Sequence, residues 1–151
     1  MRVVVQRCIK AKVSVNDKLV NEVDKGLMIL VGFTQTDTEK EIDYCVKKVS
    51  KLRIFDDENG VMNKSVIDIG GSILSISQFT LYGNPYEGNR PSYVKALNGQ
   101  ESIKLYDLFN QKLNEIVPTK PGIFGAEMMI DFINDGPVTI IIDTDEIKKK
   151  N

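Results

Sequence analysis

The apolar residues at the start of the chain recur at strand spacing, and only beyond Phe33 does the period become helical. Arg2–Ile9 reads as a strand with Val3 and Val5 on one side and Val4 on the other, so both of its faces can be covered. Lys12–Val15 alternates and runs into Asn16-Asp17, a turn pair, with Leu19–Val23 as the returning hairpin strand. Gly26–Phe33 is an uninterrupted apolar run and is expected to be a central strand.

Helical spacing then sets in. Ile42, Cys45, Val46, Val49 and Leu52 follow three- and four-residue steps, and Thr38 with Glu41 forms a capping box ahead of them. Asn59-Gly60 marks a polar turn. Gly70-Gly71 precedes a strand expected over Ser72–Tyr82, and Gly83–Pro91 is expected to be a loop. A second helix is expected over Glu101–Val117, capped by Asn98, with Ile103, Tyr106, Phe109, Leu113 and Ile116 on one side. Pro118 and Pro121 end it. Two closing strands are expected, Glu127–Ile133 and Val138–Asp143, joined by Asn134-Asp135-Gly136-Pro137. Strands arranged in groups with two main helices argue for an α+β fold with a mixed or largely antiparallel, curled sheet.

A chain of 151 residues fits a single domain, 1–151. Composition matters most for what it excludes. Histidine is absent, which removes Ser-His-Asp and Cys-His nucleophiles, His-ligated zinc and an imidazole base. Cys8 and Cys45 are the two cysteines and form no Cys-x-x-Cys pair, so no metal site is expected and both read as small buried hydrophobes. The opening residues are too short and too charged for a secretory signal, and no apolar run is long enough to span a membrane. A reducing cytoplasm is the expected compartment. The net charge of −1 means that any nucleic-acid contact must come from a local patch or a shaped pocket. Residues 144–151, with Lys148-Lys149-Lys150, read as a flexible basic tail.

Few candidates for chemistry remain. Alternation along Ser77-Gln78-Phe79-Thr80-Leu81 would put Ser77, Phe79 and Leu81 on one face and Gln78 and Thr80 on the other, beside a Gly/Pro loop. Ordinary strand residues explain the same pattern, and no base for either hydroxyl lies nearby in sequence. Asn134-Asp135-Gly136-Pro137 reads locally as a tight connection. Arg7 falls within an apolar strand, so its guanidinium must meet carbonyls or a carboxylate. Arg90 reads as solvent-exposed. Asp56-Asp57-Glu58 beside Asn59-Gly60 reads as a turn, and no Gly-rich nucleotide-binding motif occurs.

Five segments occur together and in order: MRVVVQR (Met1–Arg7), SQFTLY (Ser77–Tyr82), RPSY (Arg90–Tyr93), GIFGAEM (Gly122–Met128) and NDGPVT (Asn134–Thr139). With them the chain resembles the D-aminoacyl-tRNA deacylase family over nearly its whole length. The resemblance implies a cytoplasmic homodimer with a compact, barrel-like α+β fold. It implies hydrolysis of the ester joining a D-amino acid to the 3′-terminal ribose of tRNA, or glycine mischarged on the alanine tRNA. It implies a pocket lined by Ser77, Gln78, Phe79, Thr80 and Leu81. The Gly136-Pro137 pair, with a cis bond, would enter the partner's site, and Arg7 would brace the Gly-Pro carbonyls. The implied partner is the aminoacylated tRNA 3′ end, with no cofactor, metal or membrane.

An aminoacyl ester beside a vicinal 2′-OH is already activated. Backbone N–H groups of Phe79 and Thr80 holding the oxyanion would then suffice, with Thr80 as a side-chain nucleophile the rival. Rigid Gly136-Pro137 carbonyls would take the α-ammonium and leave no room for an L side chain. The chain departs from many relatives between Tyr82 and Arg90, where it carries Glu87 and no base, so phosphate contacts from this loop are expected to be weaker. Two alternatives stand: a related editing enzyme for a small L-aminoacyl-tRNA, and a non-catalytic nucleic-acid-binding module on the same scaffold.

Overall fold

The computed structural model describes residues 1–149. Its elements are β1 (Arg2–Val15), β2 (Lys18–Val23), β3 (Gly26–Gly32), α1 (Glu39–Lys51), β4 (Phe55–Asp56), β5 (Met62–Lys64), β6 (Ser72–Ser77), a 3-10 turn (Phe79–Tyr82), α2 (Gly99–Asn114), β7 (Thr119–Pro121), β8 (Met129–Asp143) and α3 (Thr144–Lys148). The fold is α+β, as expected, with a mixed, nearly closed sheet in the order β2-β1-β3-β6-β7 and with β8 also paired to β1.

The two segments expected as separate opening strands form one 14-residue strand, β1. β2 and β3 together pair antiparallel along one edge of it, and β8 pairs along the other. Pairing on both edges breaks at Ile9 and Lys10 and resumes at Ala11; there the register to β8 shifts, and both side chains are exposed, yet the backbone stays extended. The break in alternation marks a change of core. Val3 and Val5 pack under the helices, whereas Cys8, Ala11 and Val13 enter the second cluster with Leu74 and Ile76.

β3 pairs parallel with β6, and β6 pairs parallel with β7. α1 and α2 lie within these two crossovers and cover one face of the sheet. The capping box at Thr38 and Glu41 is present, and Asn98 caps α2. α2 ends at Asn114, short of Ile116, which is exposed, and Ile103 is exposed on the helix; Ser102, Tyr106, Phe109 and Leu113 are the residues it buries. The segment read as a flexible tail begins instead as α3. Asp143 caps it, and buried Thr144 accepts a 2.8 Å hydrogen bond from the Met1 amine. Lys148 lies 3.4 Å from Glu41, and Lys150 falls outside the described residues.

β8 is likewise one strand where two were expected. Asn134 pairs with Cys8 and Thr139 with Gln6, so residues 135–138 bulge out opposite Arg7. The Asn134 amide closes the neck of this bulge, donating to Arg7 O at 3.0 Å and to Val138 O at 3.1 Å. It thereby replaces ladder bonds that the bulge removes. The exposed tip is Gly136-Pro137, joined by a cis peptide bond, and Gly136 has φ +120°, a backbone conformation open to glycine.

Candidate active site

β6 stops at Ser77, and the strand expected to run on to Tyr82 turns into a 3-10 helix over Phe79–Tyr82. Gln78 N–H still bonds Val31 O at 2.7 Å, and Gly83 N–H closes the turn on Thr80 O at 2.9 Å. Two-face alternation therefore ends at Gln78. Ser77, Gln78 and Phe79 line one cavity together, while Thr80 and Leu81 do not line it. Leu81 is half-buried, with its Cβ packed close to Gly32 and its carbonyl accepting from Arg2 at 2.7 Å. Thr80 is exposed.

The cavity has a volume of about 710 Å³. That lies within the range of small-molecule sites. One wall is the end of β6 with Phe79, which is 57% exposed and meets the Tyr93 ring edge-on at 5.2 Å. A second wall is the 93–97 loop, which Leu97 N–H ties to Phe33 O at 3.0 Å. The third is Phe124–Met128. Behind it, Tyr106 donates to Ser75 O at 2.6 Å, and Gly122 N–H bonds the same carbonyl at 3.0 Å. Tyr93, Phe124 and Met128 were visible in the sequence as parts of RPSY and GIFGAEM, but neither motif states that its residues close a cavity.

The lining is mainly apolar, and Glu127 is its one charged side chain. Phe79 and Thr80 open a 3-10 turn, so their N–H groups have no acceptor inside it. Among the described residues, no side chain hydrogen-bonds the Thr80 hydroxyl. None of them form a cluster of three or more His, Cys, Asp or Glu able to hold a metal, and no helix is long and apolar enough to cross a membrane. Neither cysteine lies on the cavity; burial pushes the Cys8 thiol up to about 11 and Cys45 up to about 12.

Arg7 is buried and meets carbonyls and carboxylates, as its setting requires. Nη1 donates to Ile54 O at 2.8 Å and Nε to Asp135 O at 3.3 Å, while Asp135 Oδ2 and Asp56 Oδ1 lie at 3.2 and 3.6 Å. Within one chain the guanidinium therefore braces the carbonyl preceding Gly136, not those of Gly136 or Pro137. Nor does one chain bring Gly136-Pro137 to the cavity. Ser77 aligns with Val31 and so with Val3, whereas the bulge faces Arg7. Four strand residues separate those levels, roughly 13 Å along β1.

Comparison with known proteins gives a consistent result. Residues 4–143 match the family model described as D-Tyr-tRNA(Tyr) deacylase. A D-aminoacyl-tRNA deacylase of Listeria monocytogenes serotype 4a (strain HCC23) is 50% identical over 151 residues, covering 99% of this chain and all of the relative. A solved structure named c-Myc DNA Unwinding Element Binding Protein is 37% identical with TM-score 0.90, over 95% of this chain and 98% of that one. Another, described as "Structural Analysis of a probable eukaryotic D-amino acid tRNA deacylase", shares the fold at 19% identity, TM-score 0.80, over 93% and 97% of the two chains.

Proposed function

The chain belongs to the D-Tyr-tRNA(Tyr) deacylase family, and from that membership we propose that it hydrolyses D-aminoacyl-tRNA to free amino acid and tRNA. The observation that carries the reading is the end of β6. There a cavity sized for a nucleoside bearing an aminoacyl group is lined by Phe79, whose N–H, like that of Thr80 beside it, has no acceptor in its own turn.

The terminal adenosine enters this cavity, its base against the apolar and aromatic walls. The ester carbonyl faces the Phe79 and Thr80 N–H groups, which hold the oxyanion as it forms. The ribose 2′-OH assists attack, and water completes the hydrolysis. No side chain hydrogen-bonded to Thr80 acts as its base, which favours this route over a threonine nucleophile. Ser77 and Gln78 position the substrate.

The active unit is a cytoplasmic homodimer that needs no metal or cofactor. Gly136-Pro137 of one protomer reaches the cavity of the other. Its exposure on a bulge, about 13 Å along β1 from the level of its own cavity, supports this crossing. The Gly136 and Pro137 carbonyls accept from the α-ammonium and leave no volume for an L side chain. D-amino acids of any side chain and glycine are cleaved, including glycine mischarged on the alanine tRNA.

The test compares D-Tyr-, Gly-, L-Tyr- and L-Ala-tRNA under single turnover, with Thr80→Ala and a 2′-deoxy terminus as controls. Cleavage of the first two alone is expected, with Thr80→Ala active and the deoxy substrate slowed at least tenfold. L-Tyr cleavage overturns the sieve, and a dead Thr80→Ala with normal deoxy cleavage overturns the mechanism. Cleavage of L-Ala-tRNA alone selects an editing enzyme for small L residues. Binding without cleavage of any ester selects a nucleic-acid-binding module, which the name of the 37%-identical structure keeps in view.

A further inference from the structure

Lys40, Tyr44, Lys47, Lys48 and Lys51 occupy α1 at the three- and four-residue steps that line up one helix face. All five are exposed, as is Arg53 just beyond the helix. The acids of α1 are engaged by lysines outside this set. Glu39 and Asp43 hold Lys112 of α2 at 2.7 and 2.6 Å, and Glu41 holds Lys148 at 3.4 Å. Among the described residues no carboxylate lies within 4.0 Å of Lys40, Lys47, Lys48, Lys51 or Arg53. In a protein of net charge −1, this face is a local concentration of uncompensated positive charge. It borders a groove of about 380 Å³ formed by Tyr44, Lys47, Lys48, Lys51, Leu52 and Arg53, and Lys48 Nζ lies 5.7 Å from the centre of the Tyr44 ring.

The position of the groove selects its occupant. Arg53 precedes Ile54, whose carbonyl shares the Arg7 guanidinium with the carbonyl of Asp135, the residue before Gly136. The basic face thus ends one guanidinium away from the Gly136-Pro137 bulge.

We propose that the α1 face centred on Lys47 and Lys51 binds backbone phosphates of the tRNA acceptor arm whose 3′ end lies in the partner protomer's cavity. The proposal rests on the preceding reading that Gly136-Pro137 crosses between protomers. It also answers the loop over Gly83–Asn89, which carries an acid and no base. Phosphate binding is moved to α1, while the cavity holds only the terminal nucleoside.

The test uses the Lys47→Ala/Lys51→Ala double variant of the full chain. Two substrates are compared: D-Tyr-tRNA, and D-tyrosyl-adenosine, which has no acceptor arm. Affinity for uncharged tRNA is measured across a salt series. The variant is expected to lose about tenfold in kcat/KM on D-Tyr-tRNA and to keep full activity on D-tyrosyl-adenosine. The slope of log K against log salt should become shallower by about 2, near 0.9 per lost phosphate contact. An unchanged slope, an equal loss on both substrates, or a chain that stays monomeric under assay conditions overturns the proposal. Wild-type protein that cleaves neither substrate defeats the deacylase reading instead, and the salt slope still decides whether this face binds RNA.

Discussion

The α-amino group of Met1 lies 2.7 Å from Asp37 Oδ1, and neither side chain is accessible to solvent. The other carboxylate oxygen accepts Thr34 N–H at 2.8 Å, and the Thr34 hydroxyl bonds Lys95 O in the loop that carries one cavity wall. Asp37→Ala leaves a buried ammonium without its counter-charge. The expected loss is about 3–5 kcal/mol in urea unfolding. A loss below about 1 kcal/mol would show that water replaces the carboxylate.

Glu41 gives a stability signal that depends on pH. Burial tends to raise its pKa, but hydrogen bonds from the Thr38 N–H and hydroxyl, with Lys148 nearby, outweigh it and bring the group down to about 2. A folded pKa below the unfolded value, about 4.3, stabilises the fold fully above that value. The stabilisation is lost as pH falls from about 4.3 to about 2. Glu41→Gln should cost about 1–2 kcal/mol at pH 7. The gap to wild type should narrow through that acid window, as unfolding curves at pH 7, 5 and 3 would show.

Arg7→Met removes donors to Ile54 O and Asp135 O together. Leaving both carbonyls unpaired should cost about 2–4 kcal/mol. Arg7→Lys should recover less than half of that, because an ammonium cannot span both acceptors. Thermal unfolding of the two variants measures the difference.

Phe79→Ala separates binding from folding. The ring is 57% exposed, so stability should change by less than about 1 kcal/mol. Loss of a base-stacking surface, about 1–3 kcal/mol, should weaken affinity for the tRNA 3′ end about 5- to 150-fold. An affinity within twofold of wild type would take Phe79 out of the substrate's path.

Both thiols should be inert in the native state, since burial raises Cys8 to about 11 and Cys45 to about 12. Alkylation at pH 8 should run at least about a hundredfold slower than in urea. Rapid labelling of either thiol in the folded protein would show that its surroundings open.

Local signals were legible where one element decided its own structure. The Thr38–Glu41 box, the Asn98 cap and the Asn16-Asp17 turn all follow from residues a few positions apart, and the need of Arg7 for acceptors follows from its place in an apolar strand. What pattern missed came from distant pairing. β1 stays one strand across exposed, unpaired Ile9 and Lys10 because both its edges are paired before and after them. β8 survives a Gly-Pro interruption because Asn134 bridges Arg7 O and Val138 O. The strand reading of Ser77–Leu81 failed beyond Gln78 because β-type residues continue into a turn whose stop signal, Gly83, comes later. The walls contributed by Tyr93 and Phe124–Met128 depend on loops brought together by the sheet, which no single window contains.

In the proposed mechanism the turn at Phe79 offers the cavity main-chain amides, and every amino acid supplies one except proline. Replacing these residues codon by codon would change the shape of the floor while sparing its donors. A genetic screen scored on alanine alone would then overlook the donors that the proposed mechanism sets against the ester. Only proline scanning, or an ester swapped into the backbone by chemical synthesis, can silence it.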